Sequence, residues 1–303
     1  NSTFVKRPIT FRVNSIKATK QEIEKVLYDG GFKVKEVSWY DDAFILQNKW
    51  KQDVMDLDIY KEGKIYLQSL ASMMPALVLD PQPGEKVLDL TAAPGSKTSQ
   101  IAALMSDPDR STFGGTRKGE LVANDNNKIR FSKLMHNMVL LGVESSEDDF
   151  FKARLEHGTT LVKEYSEYFD KILLDAPCSA EARFLNDKPK SFSYWNEGKV
   201  REMALKQFDL LESAWGALKF GGILVYSTCT FAPEENELQV SKFMEQNTDC
   251  EILDIDLKDV KRLPIVENWE NKEINKEVVK KALRIMPDKE IEGFFVVKLL
   301  KKG

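Results

Sequence analysis

From residue 85 onward, short apolar runs alternate with segments of helical periodicity, and this alternation constrains the fold more than any other feature of the chain. Residues 86–90, 121–124, 151–156, 171–174 and 223–227 read as buried strands. Residues 96–105, 128–141, 199–218 and 234–246 carry apolar side chains at helical spacing. Strand and helix in turn predict an α/β fold with a mostly parallel sheet covered on both faces. Residues 293–300 read as a late edge strand. Two segments, 106–119 and the highly charged 256–279, read as insertions without assignable structure.

The region before residue 85 has a different texture. Residues 9–14 alternate as a strand, and Ile23, Val26 and Leu27 fall at helical spacing in a segment closed by Gly30-Gly31. Residues 33–40 and 43–47 read as strands around an Asp41-Asp42 turn, giving a compact β-α-β-β piece. A helix over 69–79 then leads into the rigid turn Pro81-Gln82-Pro83-Gly84.

At 303 residues, one large domain plus a smaller one is expected. No apolar run approaches the ~20 residues of a membrane span, and the first residues lack the apolar centre of a leader peptide. Three widely spaced cysteines do not form a disulfide framework and point to a reducing cytoplasm. The histidines are His136 and His157, no zinc-type spacing occurs, and no metal site is expected. A monomer is the simplest expectation. The net charge of −4 argues mildly against nucleic acid, yet residues 1–35 hold eight Lys/Arg, Arg12 among them, against three acids. Such a module either contacts phosphates or is a solvated face.

Cys178 and Cys229 each sit just past a strand-like run, Leu173-Leu174-Asp175 and Val225-Tyr226-Ser227-Thr228. Strand carboxyl ends face the ligand crevice of an open α/β sheet, so two thiols there point to covalent chemistry at carbon. Upstream, strand, tight turn and helix start run through Asp89-Leu90-Thr91-Ala92-Ala93-Pro94-Gly95-Ser96-Lys97. Its glycine pattern is neither a phosphate-cradling loop nor a dinucleotide fingerprint. Small residues allow close backbone approach, Pro94 stiffens the turn, and Ser96 is placed to cap the helix. A turn of this kind can hold an amino-acid carboxylate and amine. Asp125, at the end of the second strand, fits either a ribose-binding acid or a helix cap, with Arg130 near enough to brace it.

Together these segments resemble the Sun/Fmu-type RNA (cytosine-5) methyltransferases. The matching blocks are residues 89–98, 124–130, 170–179, 226–237, Arg284-Ile285-Met286-Pro287 and Gly293-Phe294-Phe295, with further likeness at 65–68 and 10–14. The resemblance implies a Rossmann-like S-adenosylmethionine domain over 69–303, preceded by a small α+β RNA-recognition-like, RNA-binding domain over 1–68. It implies Cys229 as the nucleophile at carbon 6 of cytosine and Cys178 as the group that resolves the adduct. Asp175 would pair with the base edge, and Lys97 would sit beside the thiols. Thr91 to Lys97, Asp125, Arg130, His157 and Asp175 would hold the cofactor, and the substrate would be tRNA or rRNA. Aromatics such as Phe192, Tyr194 and Trp195 either stack bases or pack in the core.

The chain departs from the family pattern at Thr91, where a cysteine is usual, and at His157-Gly158, where an acid usually precedes glycine. Asp148 or Asp149 is an alternative adenine-side acid. The usual glycine-rich run after Cys178 is replaced by Ala180-Glu181-Ala182-Arg183-Phe184. Two rival readings stay open: a DNA cytosine-5 methyltransferase, in which Cys178 would be the nucleophile, and a catalytically silent RNA-binding or ribosome-assembly factor.

Overall fold

The computed structural model describes residues 3–106, 119–144 and 149–303. Most of the 106–119 insertion, and Asp148, lie outside the described residues. The amino-terminal part is a four-stranded antiparallel sheet in the order β2-β3-β1-β4. Its strands are β1 (Thr10–Val13), β2 (Val34–Val37), β3 (Tyr40–Leu46) and β4 (Ile65–Leu67). Helix α1 (Lys20–Asp29) lies between β1 and β2, and two short helices, α2 (Lys51–Met55) and α3 (Asp58–Lys61), precede β4. Thr19 and Glu22 form a reciprocal cap that starts α1, and its apolar face seats Ile23 and Leu27 against Phe11 and Phe44. Val37 pairs with Tyr40, so the hairpin turns at Ser38-Trp39. The expected turn residues, Asp41 and Asp42, are inside β3 instead. A two-residue connection needs no more chain than that, and the first residues of β3, which extend beyond its pairing with β1, leave room for the two acids.

Helix α4 (Leu70–Leu79) leads into the large sheet, which alternates strand and helix as the hydrophobic pattern predicts. The strands are β5 (Lys86–Asp89), β6 (Glu120–Asn124), β7 (Phe151–Arg154), β8 (Phe169–Asp175) and β9 (Leu218–Thr228). They are joined through α5 (Ser96–Met105), α6 (Lys128–Leu140), α7 (Gly158–Leu161) and α8 (Glu197–Ala217). These five strands run parallel in the order β7-β6-β5-β8-β9. Beyond them come α9 (Glu237–Gln246), β10 (Cys250–Leu253), β11 (Arg262–Leu263), the ribbon β12 (Asn268–Trp269) and β13 (Lys272–Glu273), α10 (Lys276–Lys281), β14 (Leu283–Ile285) and β15 (Phe294–Lys301). The charged 256–279 segment thus holds a strand, a ribbon and the start of a helix. Cys250 opens a strand.

The last strand is interior. β15 lies antiparallel between β9 and β14 and also pairs with β10. Its run Phe294-Phe295-Val296-Val297 is fully covered, as a strand apolar on both faces must be. Two apolar clusters, one on each face, sandwich the sheet. From β5 the chain winds first toward β7 and then, at β8, the other way. This reversal opens a crevice at the carboxyl ends of β5 and β8, where ligands bind in open α/β sheets.

The amino-terminal sheet docks on this crevice's back wall through buried polar contacts. Arg12 is fully buried, its Nε donating to Gln68 Oε1 at 2.9 Å and its Nη2 to Ser99 Oγ of α5 at 2.7 Å. Desolvation pushes this guanidinium below the usual arginine range. Arg12 is therefore a structural tie and is closed to phosphate, contrary to the sequence expectation. Asn14 likewise donates to Gly63 O and Leu141 O.

Candidate active site

A cavity of about 660 Å³ opens at the strand carboxyl ends. Every catalytic and cofactor-binding residue that the resemblance implies lines it except Gly95, whereas the candidate aromatics Phe192, Tyr194 and Trp195 do not. Gly95 acts from below. Its φ of 102° starts α5, and a Cβ there would sit 2.6 Å from Met138 Cε. Gly95, rather than Ser96, is the N-cap residue, because only glycine adopts that backbone freely; Ser96 is the first helical residue.

Helix α6 holds the turn before α5 in place. Arg130 Nη2 donates to Ala93 O at 2.7 Å and pairs with Asp125 Oδ2 at 3.0 Å, while Asn137 Nδ2 donates to Pro94 O at 2.8 Å. The cap of α6 is Asn127, whose Oδ1 accepts from Ile129 and Arg130. Asp125 is thus free of the capping role and stands buried on the cavity wall, accepting from Asn127 N at 2.9 Å. His157 stands on the rim before α7, with Nδ1 2.8 Å from Thr159 Oγ1. Asp149 precedes β7 and so belongs to the opposite end of the sheet.

At the foot of the turn Asp89 is fully buried. Its Oδ2 accepts from Thr98 Oγ1 at 2.7 Å, whereas its Oδ1 has no hydrogen-bond partner. Burial pushes its carboxyl up to about 7, partly offset by Thr98 and by the charge of Lys97.

The thiols meet on the other side. The Sγ atoms of Cys178 and Cys229 are 3.3 Å apart, and all three cysteines are unbridged. Hydrogen bonding from Cys178, aided by the positive charges of Arg183 and Lys97, holds the Cys229 thiol below the usual range against its desolvation. The same hydrogen bond, with burial, raises Cys178. The pair therefore ionises at Cys229 first, with Cys178 as the proton donor. Cys250, away from the site, is pushed up to about 12 by burial.

Between thiols and turn stands a polar clamp. Lys97 Nζ is 2.7 Å from Asp175 Oδ2 and donates to Ser72 Oγ at 2.8 Å. Ser227 Oγ donates to Asp175 Oδ1 at 2.8 Å, and Thr91 Oγ1 to its backbone oxygen at 2.8 Å. Thr91, where the family usually has cysteine, thus serves as a tie between β5 and β8.

Glu235 and Gln207 were not visible from the sequence. Glu235 is fully buried, and its Oε2 accepts from Ser179 N at 3.0 Å and Gln207 Nε2 at 2.7 Å. Gln207 also donates to Pro177 O at 2.9 Å, and Tyr226 Oη to Glu235 O at 2.6 Å. These bonds fix the Cys178 loop to the segment after Cys229. Arg284 and Glu237 form a second buried pair, with Nη2 to Oε2 at 2.6 Å. The signal was the cluster of acids following Pro233, unusual beside an apolar run. Met203, Lys206, Asp209 and Leu210 of α8 also line the cavity, hidden in ordinary helical periodicity.

The sheet reversal, the pinned turn after β5 and the acid after β6 define an S-adenosylmethionine-dependent methyltransferase. The family described as 16S rRNA methyltransferase RsmB/F matches residues 76–300, and the chain belongs to it. It is an S-adenosylmethionine-dependent enzyme of the RNA (cytosine-5) methyltransferase type. The chain is 34% identical to the tRNA (cytosine(49)-C(5))-methyltransferase of Pyrococcus abyssi over 296 residues, covering 96% of this chain and 88% of that protein. It is 38% identical to ribosomal RNA small subunit methyltransferase F of Vibrio parahaemolyticus over 238 residues, covering 76% of this chain and 46% of that protein. Thus it spans most of the archaeal relative and about half the length of the bacterial one. A solved methyltransferase homolog protein from Pyrococcus horikoshii superposes with a TM-score of 0.77 at 34% identity, covering 98% of this chain and 87% of that one. NSun6 from Pyrococcus horikoshii with SFG shares the fold, with a TM-score of 0.77 at 22% identity, covering 99% of this chain and 92% of that one.

The residues suit the family's cofactor. Asp89 Oδ1 is a buried acceptor short of one donor, the deficit an ammonium group relieves. Among the described residues no helix is long and apolar enough to cross a membrane, and no cluster of three or more His, Cys, Asp or Glu has the disposition of a metal site.

Proposed function

We propose that this enzyme methylates carbon 5 of a cytosine in tRNA or rRNA through a transient bond between Cys229 and the base. One observation carries the reading: two thiols 3.3 Å apart, with hydrogen bonding and positive charge favouring the thiolate at Cys229. The Cys229 thiolate adds to carbon 6, and the electron pair of the 5,6 double bond makes carbon 5 nucleophilic. Asp175, oriented by Lys97 and Ser227, accepts a hydrogen bond from the amino group on the base edge, and the ammonium of Lys97 offsets the negative charge that develops on the ring. S-adenosylmethionine, when bound, supplies an electrophilic methyl group. Asp89 would take its ammonium, Asp125 its ribose hydroxyls, the backbone of Thr91 to Gly95 would lie along it, and His157 would border the adenine. Cys178 then serves the exit: its thiolate takes the carbon 5 proton, the electrons of that bond restore the 5,6 double bond, and Cys229 leaves carbon 6 as the thiolate.

The target base must leave its stack to reach the thiols. RNA would run from the cavity toward the amino-terminal sheet (residues 1–68 as the RNA-binding unit), where Lys6, Lys25 and Lys33 have no ion pair among the described residues. A reducing cytoplasm suits a site that needs both sulfurs as thiols.

The test uses tritiated S-adenosylmethionine with tRNA and rRNA transcripts and a DNA strand of the same sequence. Cys229→Ala is expected to lose methyl transfer. Cys178→Ala is expected to accumulate a protein–RNA adduct that survives denaturing electrophoresis. Transfer by Cys229→Ala, or preference for the DNA strand with strict dependence on Cys178, would overturn the mechanism.

A further inference from the structure

The segment after Cys178 forms a rigid rim that the mechanism above leaves unused. Glu181 staples it, its Oε1 accepting from Trp195 Nε1 at 2.9 Å and its Oε2 from Phe231 N at 3.0 Å. Ala182 N donates to Cys229 O at 3.1 Å, fixing the rim directly to the nucleophile's own residue. Phe184 is the hub beneath, with ring centroids 5.8 Å from Phe192, 6.4 Å from Tyr194 and 6.5 Å from Trp195.

Two groups on this rim keep much of their surface open to solvent. Arg183 is exposed on the wall of the cavity that holds both sulfurs, and its guanidinium donates to no group among the described residues. Tyr194 is 49% exposed, although its hydroxyl donates to Ser179 O at 3.4 Å. Part-exposed aromatics packed on Phe184, next in the fold to a cavity-lining guanidinium that makes no hydrogen bond among the described residues, fit a ligand with a flat apolar face and a negative charge.

We propose that this rim is the subsite for the nucleotide flanking the target cytosine: Tyr194 stacks on its base, and Arg183 grips the phosphodiester joining it to the target. Withdrawal of the target base from its stack exposes the neighbouring base and brings one phosphodiester within a nucleotide's reach of Cys229. A planar fork of donors matches two phosphate oxygens; Glu181 is already engaged by Trp195 and Phe231, and Asp175 and Glu292 act on the guanidinium through their charge. Stacking on tyrosine tolerates any base, so the subsite adds affinity and orientation more than sequence choice. Near Cys229 the guanidinium also favours the thiolate, which links phosphate binding to readiness of the nucleophile.

This inference rests on the RNA methyltransferase reading. Its test measures KM and kcat on the RNA that wild-type enzyme labels, with filter binding of the same RNA across salt concentrations. Tyr194→Ala is expected to raise KM roughly ten-fold, with Tyr194→Phe rescuing it. Arg183→Ala is expected to raise KM similarly and to reduce the log–log salt slope by about 0.7, with Arg183→Lys restoring the slope but not the full affinity. Wild-type KM and slope in both alanine variants would overturn the subsite. So would equal damage from Tyr194→Phe and Tyr194→Ala, because the hydroxyl contact to Ser179 would then be what matters. Wild-type enzyme that labels no RNA would instead fail the underlying reading, and the thiol variants report on that separately.

Discussion

Replacing Asp89 with asparagine should separate cofactor affinity from fold stability, and pH should reveal why. The Asp89 carboxyl is pushed up to about 7 from its ordinary 3.8, chiefly by burial. Its Oδ1 awaits a donor, Lys97 and Asp175 are the nearby charges, and Oδ2 is already held by Thr98. A cationic ammonium binds only the ionised form, which is about nine-tenths of the population at pH 8 and about one-tenth at pH 6. Apparent affinity scales with the competent fraction, so the Kd for S-adenosylhomocysteine, which keeps that ammonium, should weaken about ten-fold from pH 8 to pH 6. The ligand-free fold responds in the opposite sense. A carboxyl whose folded value is raised costs stability as pH climbs from its unfolded value toward the folded one, a cost complete above about 7. Asp89→Asn should therefore flatten the pH dependence of binding, weaken binding at pH 8 and raise the ligand-free Tm at that pH. Isothermal titration and thermal scans from pH 5.5 to 8.5 report both quantities. A pH-independent Kd in wild type, or an unchanged slope in Asp89→Asn, would refute the assignment.

Two further substitutions test the scaffold. Glu235→Ala strands the Ser179 N–H and a Gln207 amide proton, and should cost about 2–5 kcal/mol in urea unfolding while disturbing methyl transfer through the Cys178 loop; a loss below about 1 kcal/mol would remove Glu235 as the staple. Arg12→Met leaves Gln68 Oε1 and Ser99 Oγ without their cation and should destabilise the protein by about 2–4 kcal/mol with no change in the salt dependence of RNA binding. A shallower salt slope with stability intact would return Arg12 to the phosphate-binding surface.

The parallel sheet was legible because buried strands are continuous apolar runs, and the thiols because they end two of those runs. The interior place of β15 was missed although Phe294-Phe295-Val296-Val297 carried the signal: an edge strand would have alternated. The hairpin at Ser38-Trp39 lacks glycine or asparagine, so Asp41-Asp42 looked more turn-like than it is. Arg12 counted as surface charge until its neighbours were known, since burial of a cation depends on partners from Gln68 and Ser99, distant in sequence. Gln207 was unreadable for the same reason, and Glu235 showed only as one of the acids after Pro233, with nothing to mark it as buried. Asp125 was ambiguous from its position alone, and only the capping bonds of Asn127 released it from the helix.

The interior position of β15 ties the nucleophile to a distant part of the chain. Cys229 follows directly on β9, whose flank away from β8 is filled by residues 294–301, about seventy positions later in the chain. Without that segment β9 would present an open edge just before Cys229, so the pairing of residues distant in sequence supports the nucleophile's position. The setting of the nucleophile thus depends on a strand contributed from far downstream, so damage to β15 reaches the chemistry without touching the cavity wall.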